Sequence, residues 1–416
     1  MKTLLFALGC LFTVSSYASS VMGLDALGAE DVSGASAAIA GSGYAGNAKA
    51  SEEGVSMMNP ARLAYNKNVS FSANLSYQMV SASVKNGSLG TQSITIPSFY
   101  LAFPMGQFGA FSLGLWQHYS SNIKLELSDS LNSQQATLEY QGSIFEFTPS
   151  YAIKLPFWHR LSVGGTAHFV MGNNKRLLTL GPDNSAVAEE DSWATNNSDV
   201  TDAVNGSWSI LNHPAYYTLA AQYRGKTASI FFSYTTAYTL VNDMEYQLQM
   251  SQLDTLAPTK LSRQIDVPIT LATGVSYRLP KRQFVMFDFM WKPWKNDIPN
   301  VAGSWDLPNE TLVESEFLIS VGYQRDGSTI FYDSFISRMT YRAGAWYKNG
   351  YLKDVSEVGG SIGLGFPLGK RGTTIDLAIQ GGVRSSKSDA YFDETFIGVK
   401  IGLMGIGAWG NQRSGM

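Results

Sequence analysis

The chain has 416 residues, of which 44% are hydrophobic, 12% aromatic and 15% charged, and its formal net charge is −3. Sparse charge with many aromatic and Gly residues is typical of a membrane β-barrel, whose apolar outside and polar inside average to a mean hydropathy of −0.06. The near-neutral charge, without a basic run, gives no indication of a nucleic-acid partner.

Residues 1–18 have the features of a secretory signal peptide. A lone Lys2 precedes a short apolar segment, and the small residues around Ala18 form a plausible cleavage site. The apolar segment is too short to span a membrane as a helix, and no later run reaches the roughly 18 apolar residues that a spanning helix needs. The only cysteine, Cys10, lies in this segment. The exported chain is therefore predicted to begin near Ser19, without disulfides or thiolate chemistry.

Residues 19–66 are rich in Gly, Ala and Ser and do not alternate in polarity. A long connection without secondary structure is uncommon in a compact protein, so this segment is either disordered or packed inside a barrel. We favour the second and predict that residues 19–66 form an N-terminal hatch in the lumen. The hatch ends just before the first strand with Asn59, Pro60, Ala61 and Arg62.

Residues 67–409 contain long runs in which every second residue is apolar. At residues 69–79, apolar residues alternate with Ser, Asn and Gln, so one face of a strand meets lipid and the other meets water. About fourteen such runs exceed the usual globular strand length, which favours a transmembrane antiparallel β-barrel of about 14 strands over a secreted β-sandwich. Residues 410–416 are predicted to be a C-terminal tail. The strands are predicted near residues 68–84, 96–105, 108–121, 137–154, 160–174, 207–224, 226–241, 263–279, 282–295, 311–325, 337–348, 359–368, 373–385 and 393–405.

The connections between these runs alternate in length. Outer-membrane barrels keep short turns in the periplasm and longer loops outside, and an even number of strands keeps both chain ends in the periplasm. Residues 325–337 are an exception, because a longer segment stands where a tight turn is expected. Short Gly-, Pro- and Lys-containing turns fall near residues 104–107, 155–158, 224–226, 279–281 and 368–372. Aromatic residues at strand ends are predicted to form interfacial girdles, for example Phe157, Trp158, Trp291 and Trp294.

No arrangement of residues indicates an enzyme or a cofactor site. The chain contains neither a Gly-x-Ser-x-Gly elbow nor a phosphate-binding loop. We therefore expect no catalytic residue, no cofactor and no metal. Spacing that would place two metal ligands on one face is not found among His118, His159, His168 and His213.

Several segments resemble the FadL-type outer-membrane transporters of long-chain fatty acids and other hydrophobic compounds. The sequence Asn-Pro-Ala at residues 59–61 matches the motif that ends the small-residue N-terminal segment of that family, although Arg62 stands where a small residue is common. The Pro-containing segment at residues 267–277 and the segment at residues 341–347 also look like family strands. The resemblance spans most of the mature chain and implies a fourteen-stranded barrel with an N-terminal hatch, in agreement with the strand count.

The resemblance also implies a function. Members of the family capture a hydrophobic ligand at extracellular loops and release it through a lateral opening in the wall after the hatch moves. It therefore implies passive transport of hydrophobic small molecules such as long-chain fatty acids, with the opening near residues 108–121. It also makes residues 59–62 hatch or gating residues: Asn59, Pro60, Ala61 and Arg62. A purely structural role of this motif, as a Pro-fixed turn into the first strand, is equally open.

Two other functions remain open on the sequence. The long N-terminal segment argues against a general porin, whereas a surface receptor or structural barrel without transport is compatible with every pattern above. In each case we expect the outer membrane of a Gram-negative-type bacterium as the location. The expected partners are a hydrophobic ligand, outer-membrane lipid and the machinery that assembles barrels, and the protein is expected to be a monomer.

Overall fold

The computed structural model describes most of the chain beyond the predicted signal peptide. The predicted signal peptide at residues 1–18 and the predicted tail at residues 410–416 lie outside the described residues. Among the described residues, no helix has the length and apolar character that crossing a membrane would require. The described residues are 20, 22, 27–31, 36–49, 55–84, 87–120, 123–129, 134–182, 198–200, 215–246, 259–299, 310–330, 332–368, 373–387 and 392–407.

The described residues form a closed antiparallel barrel of 14 strands, which confirms the predicted fold class. Each strand pairs with the next in sequence, and the last strand pairs with the first from Glu394 to Gly407, which closes the barrel. The strands are β1 Val69–Val84, β2 Gly87–Pro104, β3 Ala110–Ser120 extended by Ile123–Asp129, β4 Gln134–Phe147 continued by Ser150–Lys154, β5 Leu161–Pro182, β6 Tyr216–Arg224, β7 Ala228–Thr235 extended by Tyr238–Tyr246, β8 Thr259–Val267 continued by Thr270–Leu279, β9 Gln283–Lys292, β10 Glu316–Arg325, β11 Thr340–Asn349, β12 Val355–Leu368, β13 Thr373–Ser386 and β14 Glu394–Gly407.

The alternation in the sequence separates the lipid-facing from the lumen-facing side chains. In β1, Phe71 and Met79 are exposed on the outside, whereas Asn74 is buried in the lumen. In β9, Phe287 is 44% exposed, whereas its neighbour Asp288 is 3% exposed. An apolar outer face around a polar interior is the arrangement of an outer-membrane barrel.

The second strand is longer than the sequence pattern predicts. It begins at Gly87 rather than near residue 96. The irregularity around Pro97 is absorbed by a bulge, because Asn74 pairs with Ser98 while Ser76 pairs with Thr95. Two residues of β2 thus oppose one residue of β1, which lets the strand continue past a proline.

Two connections differ from their predicted roles. Trp294 was expected in an aromatic girdle, but it is 5% exposed and lies 5.5 Å from the ring of Tyr351. Because β9 ends at Lys292, the strand alternation no longer governs where Trp294 points.

After β10, the unexpectedly long connection contains a short helix, Phe335–Arg338. The ring of Phe335 stacks against that of Phe366 on β12, with the ring centroids 6.4 Å apart.

The described residues between Leu27 and Asn66 lie inside the barrel against lumen-facing side chains of the wall, and we call these described residues the inner segment. Its regular elements are a two-residue strand, Ala29–Glu30, a helical turn, Ala37–Ala40, and a 3-10 helix, Pro60–Tyr65. It passes very close to the wall at Gly43, where φ is +66° and an added Cβ would lie 2.5 Å from the backbone nitrogen of Ala345. Only glycine fits both that backbone conformation and that space.

Candidate functional site: the inner segment in the lumen

Asn59 joins two parts of the inner segment to the barrel wall. Its side-chain nitrogen donates to the backbone oxygen of Asn47 at 2.8 Å and to Oε1 of Gln222 on β6 at 3.0 Å. Gln222 in turn donates to the backbone oxygen of Ala48 at 2.8 Å. Ser56 completes the set by donating to Oδ1 of Asn47 at 2.6 Å. We call these five residues the clasp, and because Asn59 and Gln222 are fully buried, water cannot replace the hydrogen bonds.

The other three residues of the predicted gating motif follow the clasp directly. Pro60 occupies the first turn of the 3-10 helix, where its fixed φ is tolerated. The chain at Pro60 and Ala61 packs on β5, because an added Cβ at Gly164 would lie 2.8 Å from both residues. Arg62 is half-buried and lines a large cavity described below. The motif is therefore a wall-packed turn that leads from the clasp into β1.

A second anchor binds the turn that precedes the clasp. The carboxylate oxygen Oδ2 of Asp288 on β9 accepts hydrogen bonds from the backbone nitrogens of Gly46 and Asn47, at 3.0 and 2.9 Å. It also accepts one from the side-chain nitrogen of Asn47 at 2.8 Å. A single buried carboxylate thus orients two consecutive backbone amides of the inner segment, in the manner of an anion-binding nest.

The start of the inner segment is held by buried ion pairs. Glu30 contacts the ammonium groups of Lys292 and Lys348, the latter at 2.9 Å, and lies 3.0 Å from Nε2 of His118. All four side chains are nearly inaccessible to solvent. Because β3, β9 and β11 contribute one partner each, the ion pairs tie the segment to separate parts of the wall. The next residue, Asp31, pairs with Lys400 on β14 at 3.0 Å.

Two histidines that appeared unrelated in the sequence meet at one carboxylate. Nδ1 of His118 lies 2.6 Å from Glu146, and Nδ1 of His168 lies 2.9 Å from its other oxygen. Tyr216 donates its hydroxyl to the same carboxylate. His118, Glu146 and His168 are lumen-facing residues of β3, β4 and β5, respectively. Only the register of these strands brings them together. Within the described part of the chain, no three His, Cys, Asp or Glu side chains are arranged to hold a metal ion.

Apolar side chains form a packed cluster in the lumen on the side of the long loops. Leu27 of the inner segment packs there with residues from the strand ends, including Tyr119, Ile265 and Trp294. Below this cluster, a cavity of about 60 Å³ lies between Met58 and the wall. Such a volume has room for only a few water molecules, so a larger hydrophobic molecule can occupy it only if the inner segment moves.

A much larger cavity of about 480 Å³ lies at the opposite end, beside the short turns. Lys49 of the inner segment crosses it and pairs with Asp326 at 2.6 Å. Burial lowers the pKa of Lys49 to about 8, although the nearby Asp326 opposes this shift. The lining is rich in arginine, and Arg62 is one of its members.

The inner segment also completes the barrel wall at one position. The hydrogen-bonded register between β2 and β3 runs from Pro104 paired with Ala110 to Ser98 paired with Trp116. Beyond Trp116, β3 pairs with the inner segment instead, through Tyr119 with Glu30 and Ser120 with Ala29. The backbone of Asp31 continues this pairing by donating to the oxygen of His118 at 2.9 Å.

The structure thus brings Asn59, Pro60, Ala61 and Arg62 together with wall residues that sequence reasoning did not single out. The sequence pattern alone identifies Asp288 and Lys292 only as polar residues within an alternating strand. The sequence signal that could have identified them is an isolated charge at a lumen-facing position of a strand. Burying such a charge costs free energy unless a partner neutralises it, so a partner is expected nearby. The partners lie in the Gly- and Ala-rich segment, where Glu30 and Asp31 stand out as acids.

Sequence and structure comparisons agree with this architecture. A family model described as BamG matches residues 5–414. Comparison with curated proteins gives no match.

Among solved structures, a Pseudomonas aeruginosa FadL homologue is similar, with a TM-score of 0.58, 12% identity, and coverage of 94% of this chain and 99% of that one. The Pseudomonas putida toluene transporter TodX has a TM-score of 0.58 and 15% identity, covering 88% and 98%. The CymD monoaromatic hydrocarbon channel has a TM-score of 0.56 and 15% identity, covering 92% and 100%. These similarities show a FadL-type fold.

Proposed function

The chain belongs to the BamG family, and from this membership and its FadL-type barrel we propose that it carries hydrophobic small molecules passively across the outer membrane. The structural neighbours are described as a FadL homologue, a toluene transporter and a hydrocarbon channel. Long-chain fatty acids are the ligand class that we propose for this chain. The lipid around the barrel wall is an apolar medium, and a molecule with a long hydrocarbon chain enters it favourably.

The observation that carries this proposal is the position at which the inner segment completes the wall. Because Glu30 and Ala29 pair with β3 where the register with β2 has ended, withdrawal of the segment would expose an edge of β3. A gap there would connect the lumen with the lipid. An oily molecule gains more from leaving into lipid than into water, which favours lateral release.

Gating in this proposal depends on the clasp. The cavity beside Met58 is too small for a fatty acid while Asn59 holds Asn47 against Gln222. Releasing these hydrogen bonds would free the turn at Asn47 and let the inner segment move. Pro60 and Ala61 would act as the fixed end of the moving segment, because they are packed against the wall at Gly164, and Arg62 follows them directly.

The test is uptake of radiolabelled oleate by cells with the intact protein, with a variant lacking residues 21–58, or with an empty membrane, at matched outer-membrane levels. Cells with the intact protein should take up oleate faster than cells without it. The deletion of residues 21–58 should change the rate of uptake relative to the intact protein. Equal uptake in all three, with the barrel folded, would contradict transport of fatty acids. Swelling of proteoliposomes in sugars would instead indicate a general porin.

A second candidate is a structural barrel that works with the barrel assembly machinery without transport. The family name BamG agrees with a role beside the barrel assembly machinery. The observation that favours it is the network of buried ion pairs that fixes Glu30 and Asp31 to the wall, because such a network resists movement. Its signature would be a deletion strain in which oleate uptake is normal while the amounts of other outer-membrane barrels fall.

A further inference from the structure

The end of the barrel with the short turns carries a row of cationic side chains. The turn before β5 contributes Arg160, the turn between β6 and β7 is flanked by Arg224 and Lys226, and the turn between β8 and β9 is flanked by Arg278 and Arg282. We call these five residues the basic arc. Because short turns face the periplasm in outer-membrane barrels, the basic arc lies at the periplasmic mouth.

Two adjoining cavities open along the basic arc. The first, of about 480 Å³, is lined by Arg224, Arg278 and Arg282. The second, of about 380 Å³, is lined by Arg160, Arg224 and Lys226. Arg224 belongs to both, so the cavities form one continuous basic surface.

The positive charge of this surface is not neutralised by the residues that the structure describes. The described lining contains two carboxylates, and each already has a cationic partner: Asp326 pairs with Lys49 and Asp376 with Arg342, both at 2.6 Å. None of the five residues of the basic arc forms an ion pair with a described carboxylate. Arg224 instead lies 5.1 Å over the ring of Tyr65.

Two side chains of the arc, those of Arg224 and Arg278, are directed away from the surrounding lipid. Arg224 lies on the same face of β6 as the buried Gln222, and Arg278 on the same face of β8 as the buried Ser276. Both therefore belong to the lumen side, where lipid headgroups around the barrel do not reach. A partner must approach from the periplasm.

The turn that holds Arg282 is under backbone strain. Lys281 and Arg282 have φ values of +57° and +62°, a region in which Gly or Asn is expected in such hairpins. Two consecutive cationic residues at these positions indicate that the side chains matter more than the local backbone conformation. Strain of this kind concentrates at binding sites.

The shape of the arc is linear. From β5 to β9 there are four strand spacings of roughly 4.8 Å, so the arc spans about 19 Å. An extended peptide covers this distance with about six residues. Arginine forks suit carboxylates, and a row of them suits carboxylates spaced along a chain better than one compact headgroup.

We propose that the basic arc is a docking site for an extended acidic segment of a periplasmic protein. Its positive potential would attract the segment over a distance, and the two cavities would accept successive carboxylates. The five residues of the arc lie outside the clasp and outside the β3 edge proposed above for transport, so the site can be tested without a transport assay.

The experiment is fluorescence anisotropy of fluorescein-labelled octaglutamate with the purified full-length protein in detergent. The intact protein should bind, and binding should weaken as salt rises. The variant R224Q/R278Q/R282Q should bind at least about tenfold more weakly. The matched control K295Q/K353Q/K387Q removes the same charge from exposed residues at the opposite end, and should stay within about twofold of the intact protein.

Three results would overturn the proposal. The first is no binding to the intact protein, and the second is an equal loss in both triple variants, which would mean that only net charge matters. The third is displacement of the probe by phosphatidylglycerol vesicles or inorganic phosphate more effectively than by unlabelled octaglutamate, which would identify a headgroup or phosphate site. If the triple variant does not fold, as judged by circular dichroism, the single variant R278Q should still weaken binding several-fold.

Discussion

Replacing Glu30 by Gln should loosen the inner segment without unfolding the barrel. Glu30 is buried against Lys292, Lys348 and His118, so the substitution keeps the shape and removes the charge. Neutralising one partner of a buried ion pair typically costs about 3–5 kcal/mol. Glu316 remains 2.9 Å from Lys348 and 3.8 Å from Lys292, so the lower end of this range applies. A loss of about 3 kcal/mol raises the undocked population roughly 100-fold.

Hydrogen–deuterium exchange of the backbone amides at residues 41–47 measures this population. These amides are held by contacts such as that from Gly43 to Oγ of Ser361 at 2.9 Å, so their exchange should accelerate by about two orders of magnitude. The matched control is E357Q, because Glu357 pairs with Arg384 at 2.6 Å between two barrel strands. That variant should leave the same amides slow. Unchanged exchange in E30Q would show that the ion pairs do not hold the segment.

Three further predictions concern the clasp, the close approach and the lipid face. Asn59→Ala should lower the free energy of docking of the inner segment by about 1–3 kcal/mol and speed trypsin cleavage after Lys49. Equal cleavage in both proteins would show that the clasp does not hold the segment. Gly43→Ala should displace the inner segment from β11, because the added Cβ has no space there. The control Gly90→Ala, whose added Cβ meets nothing within 4 Å, should leave the segment in place. Exchange of the backbone amides at residues 41–47 compares the two variants. Val321→Arg on the lipid face should destabilise the barrel by about 2–4 kcal/mol in urea unfolding from vesicles, and the exposed Tyr332→Arg in a connection serves as its control.

Much of the fold could be predicted because lipid and lumen impose a strict period of two. Phe287 and Asp288 illustrate this, since their order in the sequence decides which side each one faces. The pattern fails where the backbone leaves the sheet, as at Trp294, or where a bulge absorbs a proline, as at Pro97.

The candidate site could be predicted only in part. The Asn-Pro-Ala sequence drew attention to Asn59, but not to its partner Gln222, which is 163 residues away. Glu146 and His168 likewise meet only because β4 and β5 pair in a particular register. Such contacts depend on strand register across the barrel, and a single sequence contains no direct signal for register between residues so far apart.

The most direct test of gated lateral transport is a reversible cross-link between the inner segment and β3. Ala29 and Ser120 are paired neighbours, so A29C/S120C should form a disulfide, and Cys10 in the predicted signal peptide is the only natural cysteine. The control Q78C/S93C links β1 to β2 within the permanent wall.

Uptake of radiolabelled oleate is then measured before and after reduction. Oxidised A29C/S120C should take up no more oleate than empty cells, reduction should restore uptake, and the control pair should transport oleate in both states. Full uptake through the oxidised A29C/S120C protein would contradict lateral release beside β3, because the wall would then be closed while oleate still passes.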